Sequence, residues 1–101
     1  MNAEENNRHN LLRAATVLAT HQGDVKHRLA WAIMRHFSYV KRDALPPDLH
    51  EIYDRINTKA HREPRYAGQS TVESTFHGMH KTTAGKTASD LWELFRATHG
   101  I

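Results

Sequence analysis

The chain reads as an all-α protein, a compact bundle of four or five short helices in a single domain of 101 residues. Three observations predict this. Apolar residues recur at three-four spacing in several separate stretches. Nowhere do apolar and polar residues alternate long enough to make a strand. Helix breakers divide the stretches: Gly23, then Leu45-Pro46-Pro47-Asp48, then Glu63-Pro64. With 39% hydrophobic residues, a chain of this length holds one core and has too little apolar material for a second.

Taken in order, residues 1–5 read as a frayed start, followed by Asn6 or Asn7 as the cap of a first helix with Leu11, Ala14, Ala15 and Leu18 on its buried side. Gly23 ends it. Asp24 then caps a second helix running to Arg42, in which Val25, Leu29, Ile33, Phe37 and Val40 form the buried stripe. The two prolines at 46 and 47 start a third helix, with Leu49, Ile52, Tyr53, Ile56 and Ala60 at helical spacing up to Glu63-Pro64. Ser70-Thr71-Val72-Glu73 is a capping box leading into Val72, Phe76 and Met79. Gly85 interrupts that pattern, and Thr87-Ala88-Ser89-Asp90 is a second capping box ahead of Leu91, Trp92, Leu94 and Phe95. Two short helices are expected here. The competing reading is one helix over residues 71–98, since Val72, Phe76, Met79, Thr83, Thr87, Leu91, Phe95 and Thr98 also keep a three-four spacing.

Fourteen Lys and Arg against eleven Asp and Glu give a net charge of +3. The surplus is uneven: residues 1–43 hold seven cations and four acids, whereas residues 44–101 hold seven of each. Nine histidines add a reserve of positive charge that develops as the pH falls toward about 6.5. The longest apolar run, Leu29 to Met34, is far short of the ~20 residues that cross a bilayer, and no charged-then-apolar leader opens the chain. No membrane association is expected, and the absence of cysteine excludes disulfides and thiolate metal sites. The chain is expected to be soluble and cytoplasmic.

Within the second helix, Arg28, Arg35 and Arg42 recur at heptad spacing, and no carboxylate follows Asp24 before residue 43. On a continuous helix at ~100° and ~1.5 Å per residue, their stems fall within an arc of about 40° and sit ~10 Å apart along the axis. Trp31 and Tyr39 lie beside them. The candidate binding face is therefore Arg28, Trp31, Arg35, Tyr39 and Arg42. Arginine and tryptophan dominate binding hot spots, and the same pair suits phosphate contact and base stacking. Solvation, or pairing with Asp48, Glu51 or Asp54 of the next helix, is the plain alternative.

The remaining motifs carry less. Gly85-Lys86-Thr87 imitates the end of a P-loop, but His80 stands where that loop needs its first glycine, and no buried strand precedes it. His77 and His80, with Glu73 one turn earlier, have ligand spacing, yet no cysteine or second ligand pair accompanies them, so neither metal nor cofactor is expected. Arg55-Ile56-Asn57-Thr58-Lys59-Ala60-His61 resembles the arginine-spacer-histidine motif of HEPN ribonucleases, in which such a pair would polarise phosphate and move protons at an RNA 2′-hydroxyl. A chain with nine arginines and nine histidines reaches that spacing by chance.

A wider resemblance covers residues 23–88. Gly23-Asp24-Val25 with Arg28-Leu29, then Leu45-Pro46-Pro47, then Ser70-Thr71-Val72-Glu73 and the run from Thr83 to Ala88 resemble a family of small helical proteins from bacteria, phages and other mobile elements. The resemblance implies no catalytic residues; residence on mobile elements would favour a small protein that binds a host complex or nucleic acid. The expected function is thus a non-catalytic helical module that docks on a protein partner or larger assembly through the Arg/Trp face, as a small subunit or inhibitor. Nucleic-acid binding through the same face is the alternative, and a HEPN-like ribonuclease comes third. The oligomeric state is open, a homodimer being compatible with the sequence.

Overall fold

The computed structural model describes residues 2–61, 75, 76 and 78–101. Four α-helices lie among them: α1 (Ala3–Thr20), α2 (Val25–Arg35), α3 (His50–Ala60) and α4 (Lys81–His99). Three single-turn 3-10 segments, Phe37–Tyr39, Arg42–Ala44 and Pro47–Leu49, link α2 to α3, and no strand occurs among the described residues. The expected all-α bundle is what forms. Helix α1 packs on α2 and α4, α2 also packs on α4, and α3 closes the other side of α4.

The apolar spacing explains the core. Leu11 and Ala14 from α1, Leu29 and Ile33 from α2, Ile56 from α3, and Leu91 and Leu94 from α4 are fully buried in one cluster. Burying such a large aliphatic side chain contributes about 1.5–3 kcal/mol. Phe37, just beyond α2, completes the cluster, its ring 5.2 Å from that of Tyr53.

Several boundaries differ from the sequence-based expectation. Residues 3–5 form the first turn of α1, capped by Asn2, whose Oδ1 accepts the Glu5 amide at 2.8 Å. Neither Asn6 nor Asn7 is the cap. Asn7 is instead buried and points across to the α2–α3 link: its Oδ1 accepts the Lys41 N–H, and its Nδ2 donates to the Lys41 carbonyl, both at 2.8 Å.

That clamp accounts for the largest correction, the end of α2 at Arg35 rather than Arg42. In a helix the two Lys41 backbone groups would bond four residues away along the chain, but Asn7 holds both. The residues Phe37-Ser38-Tyr39-Val40 are weak helix formers, and they tighten into i→i+3 turns, Tyr39 N–H to His36 O and Val40 N–H to Phe37 O.

At the other end of the chain, α4 runs unbroken through Gly85, so Thr87-Ala88-Ser89-Asp90 lies mid-helix and caps nothing. The Thr87 hydroxyl donates back to the Thr83 carbonyl at 3.0 Å. Thr75, Phe76 and Gly78 are helical as well, and the break falls at Met79 and His80, where His80 is the extended cap of α4. Two helical stretches therefore exist, divided five residues earlier than Gly85 suggests, and a single helix over 71–98 does not form. The capping box at Ser70 and the Glu63-Pro64 stop lie outside the described residues.

Candidate binding face

The heptad arginines do not share a helix face, because only Arg28 and Arg35 lie on α2. Each of the three has a different fate. Arg28 turns toward the end of α1, where its Nη1 donates to the Leu18 carbonyl at 2.8 Å. The last turn of α1 contains no basic residue, so Arg28 supplies from α2 the cation that complements the negative end of that helix. Its Nε is buried and has no hydrogen-bond partner among the described residues. Arg28 is thus a packing and capping group.

Arg42 sits in the second 3-10 turn and binds Asp54 of α3 through two near-parallel hydrogen bonds, Nε to Oδ1 at 2.8 Å and Nη2 to Oδ2 at 2.9 Å. The pairing holds the Asp54 carboxyl below its usual range and raises the Arg42 guanidinium above its own. Of the three arginines, Arg35 alone stays on the open surface of α2, its guanidinium carbon 4.2 Å from the centre of the Trp31 ring.

Trp31 is half-buried in a stack built from two helices. The His21 imidazole, at the C-cap of α1, lies nearly parallel to the indole at 5.1 Å, and His27 is 5.3 Å from His21. Gly23 makes this approach geometrically feasible. Its φ of +112° turns the chain sharply, and a Cβ there would come within 2.9 Å of the His27 ring. Asp24 caps α2 by accepting the His27 amide at 2.9 Å, and that bond lowers the Asp24 carboxyl. Tyr39 stands beyond the end of α2 with two-thirds of its surface exposed.

Helix α1 contributes a second set of side chains that the sequence did not single out. Arg13 Nε donates to Nε2 of His9 at 2.9 Å. Arg13 and His9 also face His36: burial foremost, then the charges of Arg13, Arg35 and His9, push the His36 imidazole below its ordinary value. His9, Arg13 and His21 escaped notice because they share no motif with α2. The four-residue connection between the helices, His21 to Asp24, brings them alongside it.

The other sequence motifs serve the scaffold. Arg55 bridges α3 to α4 through Asp90, at 3.0 Å, and also reaches Glu51; the His61 ring is bonded to the Asn57 carbonyl at 2.9 Å. The arginine and histidine of the ribonuclease-like motif thus each have a local partner. Gly85-Lys86-Thr87 lies inside α4, where its backbone amides are part of the helix and make no phosphate-wrapping loop. Glu73 and His77 lie outside the described residues, and no group of three metal-ligating side chains occurs among those described. Trp92 is exposed, its ring 5.2 Å from Phe95. No described helix is long and apolar enough to cross a membrane.

Compared with protein-family models, with curated proteins and with solved structures, the chain matches none.

Proposed function

We propose that the chain is a non-catalytic helical binding module that docks on a protein partner, as a small subunit or inhibitor of a larger assembly, through the Trp31–Arg35 pair and the neighbouring Tyr39. The observation that carries this reading is the 4.2 Å stacking of the Arg35 guanidinium on Trp31 at the molecular surface. The indole and guanidinium are held in one arrangement before any partner arrives, so little side-chain freedom is lost on docking. Trp, Tyr and Arg are the residues that most often anchor protein interfaces. The diversion of Arg28 to Leu18 and of Arg42 to Asp54 also favours a compact hot spot over a long phosphate-binding stripe.

The test combines two measurements on the full chain. Fluorescent single-stranded and duplex oligonucleotides are titrated across ~50–200 mM salt, and hydrogen exchange is mapped on the complex with any protein recovered on the immobilised chain. The expected result is no saturable oligonucleotide binding, with protection centred on Trp31 to Tyr39 and loss of the complex in Trp31→Ala/Arg35→Gln. Saturable, steeply salt-dependent oligonucleotide binding that the same double change abolishes would reassign the face to nucleic acid. RNA cleavage in those mixtures would refute the non-catalytic reading.

A further inference from the structure

Residues 6–42 contain seven Lys and Arg and four histidines but one carboxylate, Asp24. The hairpin of α1 and α2 is formed by this segment, and one seam between the two helices gathers much of its positive and aromatic character. At one end of the seam stand His21, His27 and Trp31; at the other stand His9, Arg13 and His36; Arg35 joins the two, touching Trp31 and contributing to the field at His36. Asp24, at the His27 end, is engaged in capping α2 through the His27 amide and meets the field of Lys81 and Lys26. Among the described residues, no carboxylate pairs with Arg13 or Arg35.

We infer that this α1–α2 seam is a docking track for a carboxylate-rich segment of a protein partner, laid along the hairpin with Arg13 and Arg35 as its two charge contacts. The inference rests on the docking role proposed for Trp31 and Arg35 and adds α1 as the other half of the site. Charge complementarity selects the occupant: a track whose Arg13 and Arg35 meet no carboxylate among the described residues, and which is flanked by imidazoles, attracts Asp and Glu side chains and repels basic ones. Arginine binds a carboxylate through two parallel hydrogen bonds, which fixes register as well as affinity. From His9 on α1 to His21 at its C-cap, twelve positions on, the seam runs about 18 Å. An extended segment at ~3.3 Å per residue covers that length with about six residues.

A labelled hexa-aspartate peptide tests the assignment, titrated against the full chain at pH 7 and ~50 mM salt, with hexa-asparagine and a twelve-nucleotide oligothymidine as comparators. Saturable binding of hexa-aspartate is expected, weakened about tenfold by Arg13→Gln/Arg35→Gln. Lys86→Gln/Arg96→Gln, which removes two charges from the exposed side of α4, should leave it unchanged. Circular dichroism checks that Arg13→Gln/Arg35→Gln folds, and Arg13→Lys/Arg35→Lys should recover part of the affinity, since charge returns without the planar fork. No saturable binding, or equal losses from the seam and α4 double changes, overturns the inference. Oligothymidine binding that hexa-aspartate cannot displace overturns it in favour of nucleic acid. Loss on Arg35→Gln with none on Arg13→Gln overturns the α1 half while leaving the Trp31–Arg35 docking point in place.

Discussion

Replacing Asn7 by alanine removes the side chain that hydrogen-bonds α1 to the link following α2, and its cost can be worked from the geometry. Two hydrogen bonds of 2.8 Å disappear together: the Lys41 N–H loses its partner in a partly buried position, while the Lys41 C=O keeps the Ala44 N–H at 3.2 Å. The orphaned N–H costs about 1–3 kcal/mol and the lost bond to the C=O about 1 kcal/mol, and readmission of water to the exposed side of Lys41 recovers some of this, so the net loss should be about 1–3 kcal/mol. A domain of this size has ~5–15 kcal/mol in all. Equilibrium unfolding in urea should therefore show the midpoint falling by roughly 0.5–2 M with an unchanged slope. Tyr39 and Arg42 flank the clamp, so amide exchange over residues 37–45 should accelerate more than in α3. Asn2→Ala, which removes an exposed helix cap, should cost only about 1 kcal/mol. A loss below ~0.5 kcal/mol for Asn7→Ala would refute the claim that this clamp ends α2.

Three further outcomes follow from the same structure. Gly85→Ala should raise stability by about 0.5–1 kcal/mol in thermal unfolding, because Gly85 is helical, exposed and has no atom within 4 Å of an added Cβ; a destabilised variant would refute the continuity of α4 there. Gly23→Ala should cost roughly 1–3 kcal/mol and perturb Trp31 fluorescence, since the +112° φ and the 2.9 Å approach to His27 both resist a Cβ; an unchanged melting point and emission would contradict this. His36 binds its proton less readily folded than unfolded, so its contribution to stability is fully present above about pH 6.5 and is lost as the pH falls through the lower folded value. The urea midpoint should drop less between pH 7.5 and pH 5 in His36→Gln than in the parent, and equal drops would refute the assignment.

The candidate site was partly legible in the linear pattern. Trp31 and Arg35 are four residues apart on a stretch whose apolar stripe is plain, and their adjacency on one helix follows from that spacing alone. The same arithmetic extended the stripe to Arg42, and there it failed. The three-four spacing of Phe37 and Val40 satisfies a helix, yet both residues also reach the core from 3-10 and extended backbone. Periodicity cannot tell these apart when a distant side chain competes for the backbone groups. Capping boxes misled for a related reason: Thr87-Ala88-Ser89-Asp90 satisfies the pattern of a helix start, but α4 was already under way, and the exposed Gly85 costs it too little to break it.

By itself, then, the sequence determined the all-helical class, many of the described residues that fill the core and the concentration of positive charge in the first half of the chain, because these depend on local spacing and composition. Only the tertiary structure decided which cations stay available. Arg28 is drawn to the Leu18 carbonyl ten residues back, Arg42 to Asp54 twelve residues on, and Arg13 keeps to His9 on its own helix while its charge is felt at His36. The first two outcomes turn on hydrogen-bond partners that are distant in sequence and come within reach only when the helices pack.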